Sequence, residues 1–343
     1  MTNSRRILVT GGAGYVGAVL VSKLLAAGHK VRVLDWYLYQ RDVFRSHSGN
    51  PALEEHVGDL RDEELVRSLV RDCDAVIHLA CISNDPSFEL EPELGRTINL
   101  DAFEPLVQAS RDAGVKRFVY ASSSSVYGLS DAPEIDETHP LCPLTDYSRF
   151  KAECEQQLAE FQSSDFTTVI LRPATVCGYS PRLRLDLTVN ILTNHAVNAG
   201  KITVFGGTQK RPNIHIEDVT DLYLQLLDEP AERVAGQIFN AGYENHTVAQ
   251  LATFVRDVIR DEVPGREDLE IVTTPSDDLR SYHISSRKIA EHLGYRPRRT
   301  IEDAVRDLAR AFAAGKIPQS MTDKKYFNVE MMKAHPIPEL IAE

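Results

Sequence analysis

The chain has 343 residues, of which 43% are hydrophobic and 26% charged, a composition typical of one large or two closely joined globular domains. Its net charge of −12 argues against nucleic acid and anionic membranes as partners, because both are bound through basic surface. No apolar run approaches the roughly 20 residues of a membrane span. We expect no leader peptide before the first predicted strand. The five cysteines lack CxxC spacing, so we also expect a cytoplasmic protein without disulfides or a bound metal.

The first half of the chain alternates short β-branched runs with longer helical patterns, which is typical of a parallel sheet wound with helices. Strands are predicted at residues 5–10, 30–35, 54–59, 74–80, 116–123 and 167–173. A helix that begins near Tyr147 and repeats apolar residues at helical spacing is predicted before the last of these strands. The expected fold class is therefore α/β, with a doubly wound parallel sheet of Rossmann type.

The pattern changes after Arg172, where strands and helices no longer alternate regularly. We predict that residues 1–175 form a nucleotide-binding domain and that 216–242, read as a helix and a strand, return to it. Residues 176–215 and 243–315 then form a smaller mixed α/β lobe for the substrate. The tail, residues 316–343, has weak periodicity and is expected either to be irregular or to pack on a neighbouring chain.

The stretch TGGAGYVG (10–17) directly follows the first strand and opens the first helix. Glycines spaced GxxGxxG, here Gly11, Gly14 and Gly17, permit a tight turn and the close approach of a pyrophosphate to backbone amides. The amides of Tyr15 and Val16 begin the helix and are expected to face the anion. The motif in this context indicates a dinucleotide site.

Acidic residues at two later strand ends extend this site. Asp35 ends the second strand near the offset of about 20 residues at which a carboxylate binds the adenosine ribose, and it would repel a 2′-phosphate, which favours NAD over NADP. The alternative is a solvated Asp35 at a strand end. In GDL (58–60), Asp59 and Leu60 are predicted beside the adenine.

The segment DYSRFKAE (146–153) places Tyr147 and Lys151 one turn apart on the same helix face. A free tyrosine has a pKa of about 10, and a neighbouring ammonium together with a nicotinamide cation favours the phenolate. The pair is therefore a candidate acid/base near neutral pH.

With these motifs, the chain resembles the extended short-chain dehydrogenase/reductase family, in its NAD-dependent sugar-nucleotide epimerase/dehydratase branch and close to UDP-glucose 4-epimerases. The resemblance spans about residues 5–315 and is carried by TGGAGYVG, GDL, HLA (78–80), SSSSVYG (122–128), YSRFK (147–151), RPNIHIEDV (211–219) and LGYRP (293–297). It implies that Ser123 binds the substrate oxygen beside Tyr147, while Lys151 binds the nicotinamide ribose. It also implies that Leu79, Ala80 and Asn99 lie near the cofactor and that the protein forms a homodimer.

The residue types at the two positions after Ser123 differ between family members that catalyse different reactions. The resemblance implies an acidic pair there in 4,6-dehydratases and a glutamate in UDP-glucuronate decarboxylases, whereas this chain has Ser124 and Ser125. Epimerization at C4 of a nucleoside-diphosphate sugar through a transient 4-keto sugar is therefore the expected reaction. The alternatives are a 4-dehydrogenase or ketoreductase of a nucleotide sugar, for example a heptose, and a non-catalytic NAD-binding regulator.

Further residues are assigned to the substrate by the same resemblance. Asn190, Arg211 and Arg280 are implied as contacts of the nucleotide diphosphate, since the arginine fork suits such an anion. Ser83 and Asn84 are candidate contacts of the sugar hydroxyls, and Thr175 stands where the family often has Asn. Arg182 or Arg184, in a loop more basic than usual, either meets an extra anionic group such as a sugar carboxylate or braces the loop.

Overall fold

The structure is a computed structural model that describes residues 4–130, 132, 134–275, 281 and 283–335. Its strands are β1 Arg6–Thr10, β2 Lys30–Asp35, β3 Leu53–Val57, β4 Ala75–His78, β5 Arg117–Ala121, β6 Thr167–Pro173, β7 Thr175–Cys177, β8 Lys201–Phe205, β9 Lys210–His215, β10 Gln237–Ala241, β11 Glu244–Thr247 and β12 Glu270–Thr274. Its α-helices are α1 Tyr15–Ala26, α2 Glu63–Leu69, α3 Asp85–Leu90, α4 Pro92–Arg96, α5 Phe103–Asp112, α6 Asp146–Phe161, α7 Thr188–Ala199, α8 Ile216–Asp228, α9 Ala231–Val234, α10 Val248–Glu262, α11 Arg287–Leu293, α12 Ile301–Ala313 and α13 Asn328–Ala334. Single 3₁₀ turns lie at Arg45–His47, Ser124–Tyr127 and Lys324–Tyr326, and a π-helical turn lies at Thr97–Asp101.

The large sheet has seven strands in the order β3-β2-β1-β4-β5-β6-β10, and all of its pairings are parallel. Buried apolar side chains cover both of its faces, in two separate clusters. The predicted α/β class with a doubly wound parallel sheet is confirmed. Strand order reverses between β1 and β4, and in such sheets a crevice for ligands opens there, at the carboxyl ends of the strands.

Residues 216–241 pack with the large sheet, although in chain order they come after strands and a helix of the smaller lobe. β10 pairs with β6, and α8 packs against α1 on one face. The smaller lobe holds a three-stranded sheet, β11-β9-β7, and the parallel pair β12-β8, packed on α7, α10 and α12. The exact domain boundaries stay a prediction.

The described part of the tail, residues 316–335, is not irregular, which was one of the two alternatives expected from its sequence. It contains α13, which packs against α3 of the same chain, and its Tyr326 carbonyl accepts a hydrogen bond from the Leu185 amide at 2.9 Å. Tyr326 and Met332 are buried. The segment therefore packs on its own chain, and its Asn328 lies at the crevice.

None of the helices in the described part of the chain combines the length and the apolarity that crossing a membrane requires. Within the same residues, no three His, Cys, Asp or Glu side chains are grouped so that they could hold a metal ion.

Candidate active site

A cavity of about 460 Å³ lies where the strand order reverses, between the large sheet and the smaller lobe. From the large domain it is lined by the glycine turn, Asp35, the serine run and Tyr147 with Lys151. From the smaller lobe it is lined by Thr175, the loop after β7 and Arg211. The cavity therefore brings together most of the residues that the sequence assigned to one site.

The glycine turn between β1 and α1 is packed too closely for side chains. A Cβ on Gly11 would lie 2.5 Å from the Ala80 amide nitrogen, and Gly11 has a φ of +72°. A Cβ on Gly17 would lie 2.5 Å from the carbonyl oxygens of both Gly11 and Gly12. The turn thus has no room for a side chain at Gly11 or Gly17, which fits the close approach of a dinucleotide pyrophosphate to its backbone amides.

We expect Gly17→Ala to weaken NAD binding by at least about tenfold, because the new methyl group must displace the glycine turn from the start of the helix. Gly242→Ala is the control variant, since Gly242 is absent from the described cavity wall and a Cβ there would have its nearest contact, 3.0 Å, with the Ile284 side chain. Calorimetric titration of each purified protein with NAD measures the effect. Equal affinities in the two variants would contradict the packing argument.

The Asp35 carboxylate is fixed at the end of β2. One oxygen accepts a hydrogen bond from the Ala13 amide at 3.0 Å and the other from the Tyr37 amide at 2.8 Å. Burial raises the pKa of this carboxyl above its ordinary value, and these amide bonds oppose the shift. The carboxylate therefore braces the glycine turn while lining the cavity.

Residues that directly follow β3 and β4 close the same end of the cavity. Leu60, Leu79 and Ala80 line it, together with Gly58. Asp59 is not among the described lining residues, and its carboxylate is bound by the Arg61 guanidinium at 2.7 Å. Its contact with adenine stays a prediction.

Tyr147 and Lys151 lie on α6, whose start is fixed by a capping box between Thr145 and Ser148. Lys151 is buried, and its ammonium donates a hydrogen bond to the Ala121 carbonyl at 2.7 Å. The same ammonium lies 5.9 Å from the centroid of the Tyr147 ring. This arrangement holds a positive charge beside the phenol, which is what an acid/base tyrosine requires.

The four serines after β5 all line the cavity but differ in their partners. Ser122 donates to the Glu155 carboxylate. The Ser123 hydroxyl oxygen accepts from both the amide and the hydroxyl of Ser125, at 3.1 and 2.9 Å. Because Ser123 accepts both of these bonds, its own proton remains available for a substrate oxygen.

A buried polar network that the sequence did not reveal lies behind the serines. Arg172 and Glu155 form a bidentate pair, with nitrogen–oxygen distances of 2.9 and 2.5 Å. The Tyr127 hydroxyl accepts from Arg172 and donates to the Asn240 amide oxygen, each at 2.7 Å. The network ties β6, α6 and β10 to the serine turn, so it fixes the position of the catalytic candidates.

The loop after β4 carries both sugar-contact candidates, and both line the cavity. The Ser83 hydroxyl accepts hydrogen bonds from Asn328 at 2.9 Å and from Arg184 at 3.3 Å. The Asn84 side chain caps α3 by accepting from the Ser87 amide at 2.9 Å. Asn328 itself lines the cavity, and no local pattern in the sequence could have predicted its presence there.

Two predicted site residues lie behind the cavity wall. Asn99 makes two hydrogen bonds to the backbone of Ile82, at 2.8 and 3.0 Å. Asn190 accepts from the Gly178 amide at 3.0 Å and donates to the Tyr15 hydroxyl at 3.0 Å. Their contacts with cofactor and substrate stay predictions.

Three of the four remaining substrate candidates belong to the described residues. Thr175, Arg182 and Arg211 line the cavity. Arg280 lies outside the described residues. Their contacts with a substrate also stay predictions.

Comparison with known proteins gives consistent results. A family model described as "NAD dependent epimerase/dehydratase family" matches residues 7–242. The chain is 30% identical over 277 residues to a UDP-glucose 4-epimerase of Lactobacillus helveticus, which covers 74% of this chain and 82% of that protein. It is 29% identical over 308 residues to the low-salt glycan biosynthesis protein Agl12 of Haloferax volcanii. This alignment covers 87% of the present chain and 96% of that protein.

Solved structures of the same fold are similar over nearly their whole length. DesIV, a dTDP-glucose 4,6-dehydratase from Streptomyces venezuelae with NAD and TYD bound, is 26% identical at a TM-score of 0.78 and covers 90% of this chain and 97% of that one. MoeE5 in complex with UDP-glucuronic acid and NAD is 26% identical at a TM-score of 0.76, covering 90% and 99%. The family model spans well over half of the chain, and the geometry of the glycine turn fits the cofactor. The chain therefore belongs to the NAD dependent epimerase/dehydratase family, with NAD as its cofactor.

Proposed function

We propose that this protein is an NAD-dependent sugar-nucleotide epimerase that inverts C4 of a nucleoside-diphosphate sugar. The observation that carries the proposal is the meeting of Ser123, Tyr147 and Lys151 at one cavity, next to serines at positions 124 and 125. These groups suffice for moving one proton at a carbinol. Bound NAD supplies the hydride acceptor and donor.

The residues have distinct roles in this proposal. Ser123 binds the sugar oxygen through its hydroxyl proton, and Tyr147 removes the proton of the same hydroxyl group as the carbon is oxidised. Lys151 stabilises the phenolate and binds the cofactor ribose. After the 4-keto sugar has rotated in the cavity, C4 regains the hydride on its opposite face, Tyr147 returns the proton to the oxygen, and the opposite configuration results.

Elimination of water is the main competing reaction, since DesIV is a dTDP-glucose 4,6-dehydratase and its structure matches 90% of this chain. The resemblance places the acidic pair of dehydratases at positions 124 and 125, where this chain has serines. Other carboxylates of the described cavity wall are engaged elsewhere. Asp186 is paired with Arg184, and Asp85 accepts a hydrogen bond from Thr145 at 2.6 Å.

The test is incubation of the purified protein with UDP-, dTDP-, GDP- and CDP-glucose and with UDP-glucuronic acid, without added NAD. We expect at least one of these to give its C4 epimer, resolved by chromatography, while no NADH accumulates in the absorbance spectrum. A ketosugar formed only with an external oxidant would replace the proposal by a 4-dehydrogenase. A 4-keto-6-deoxy product would replace it by a dehydratase.

A further inference from the structure

Arg182, in the loop between β7 and α7, is a buried cation with unused hydrogen-bonding capacity. Its side chain is 2% exposed, and its guanidinium carbon lies 3.7 Å from the centroid of the Tyr39 ring. One terminal nitrogen donates to the Asn328 amide oxygen at 2.5 Å. Within the described part of the chain, Nε and Nη1 have no hydrogen-bond partner. A buried charge left in this state is costly, so the position calls for an anion.

The neighbouring Arg184 differs in this respect. Its guanidinium binds both carboxylate oxygens of Asp186, at 2.9 and 3.1 Å, and it also donates to Ser83. Asp186 in turn accepts a hydrogen bond from the Asn328 amide at 3.1 Å. Arg184 is therefore neutralised and braces the loop, whereas Arg182 forms no salt bridge with a carboxylate of the described residues.

The loop that carries Arg182 is docked on the cofactor end of the cavity. The Ser180 hydroxyl donates to the Tyr15 carbonyl at 2.8 Å, and the Tyr15 hydroxyl donates to the Gly178 carbonyl at 2.7 Å. Tyr39, on which Arg182 stacks, lies in the segment that follows Asp35. Burial raises the pKa of Asp35, and the charge of Arg182 opposes this shift, so the two groups act on each other.

We propose that Arg182 is a binding residue for the diphosphate of NAD, adding a cation to the backbone amides of the glycine turn. Tyr39 and Asn328 act as positioning residues for its guanidinium. The loop after β7 and the C-terminal segment would thus both contribute to retaining the cofactor. This inference rests on NAD as the cofactor and does not depend on the C4 reaction.

The other basic residues of the described cavity wall do not supply this charge. The glycine turn itself, TGGAGYVG, contains no basic residue. Lys151 is held at the Ala121 carbonyl beside Tyr147, and Arg184 is paired with Asp186. Arg211 lies in β9 of the smaller lobe. Arg182 is the one placed between the start of α1 and the segment after β2.

The test compares the wild type with Arg182→Gln, titrated as NAD-free protein with NAD and, separately, with adenosine, which lacks the phosphates. We expect the variant to bind NAD at least about tenfold more weakly, as for a lost hydrogen bond to a charged group, with adenosine affinity unchanged. Arg182→Lys should recover part of the loss, and Asn328→Ala should show a smaller loss in the same direction. The matched control is Arg310→Gln, an exposed arginine of α12 away from the cavity, which should leave NAD affinity unchanged.

Two results would overturn the assignment. One is wild-type NAD affinity in a folded Arg182→Gln protein. The other is unchanged NAD affinity with weakened binding of UDP to the NAD-loaded protein, which would assign the cation to the substrate. If Arg182→Gln fails to fold by circular dichroism, Asn328→Ala decides instead, and full NAD affinity there overturns the proposal. Because the readout is NAD binding, a failure of the C4 reaction leaves this test unaffected.

Discussion

Replacing Tyr147 by phenylalanine is expected to lower the turnover of any accepted sugar nucleotide by about 100-fold or more, the range typical for loss of a general acid/base. The variant removes the phenolic oxygen and keeps the ring, so packing at the start of α6 is preserved. The Lys151 ammonium, 5.9 Å from the centroid of that ring, remains in place through its bond to the Ala121 carbonyl. Steady-state assay of epimer formation gives the rate.

The control variant for this experiment is Tyr243→Phe. Tyr243 is 45% exposed, lies between β10 and β11, and is absent from the described cavity wall, so its loss should leave turnover unchanged. NAD affinity should also stay at the wild-type value in Tyr147→Phe. The lower turnover would then come from slower proton transfer and not from weaker binding of NAD. Turnover of Tyr147→Phe equal to that of the wild type would refute the assigned role.

The parts of the fold that the sequence predicted well are those set by local pattern. β2 and β6 have the bounds predicted from their β-branched runs, and α6 begins one residue before Tyr147. The pair Tyr147 and Lys151 is predictable because helical spacing alone places both side chains on one face. The glycine turn is predictable because its chemistry needs only one strand, one turn and one helix start.

The parts that the sequence did not predict depend on contacts between distant segments. Asn328 reaches Ser83 and Arg182 from the far end of the chain, and nothing near it in the sequence indicates a cavity. Asn99 and Asn190 were assigned to the site because their positions match those of family site residues. The sequence does not reveal that the side-chain amide of each is hydrogen-bonded to other groups of the protein. Likewise, the carboxylate of Glu155 is recognisable as part of the site only once Arg172 and Ser122 are seen beside it.

Glu155→Ala is expected to lower the free energy of unfolding by about 3–5 kcal/mol, the range found when one partner of a buried ion pair is removed. Arg172 is 3% exposed, and its guanidinium would lose all three of its hydrogen bonds to the carboxylate. Ser122 would lose its acceptor as well. Urea denaturation followed by circular dichroism measures the change.

The double variant Glu155→Leu with Arg172→Met tests whether the unpaired charge is the cause. With both ions gone, the interior no longer holds a lone guanidinium, and apolar side chains of similar size fill the space, so much of the lost stability should return. In this variant the Tyr127 hydroxyl loses its donor Arg172 and Ser122 loses its acceptor Glu155, so a residual loss of about 2 kcal/mol is expected, at about 1 kcal/mol for each hydrogen bond. If the double variant is as unstable as Glu155→Ala, the pair stabilises the fold through its attraction, and the argument from the lone buried charge is wrong. If Glu155→Ala alone costs under about 1 kcal/mol, water reaches Arg172 and the network behind the serines is not closed.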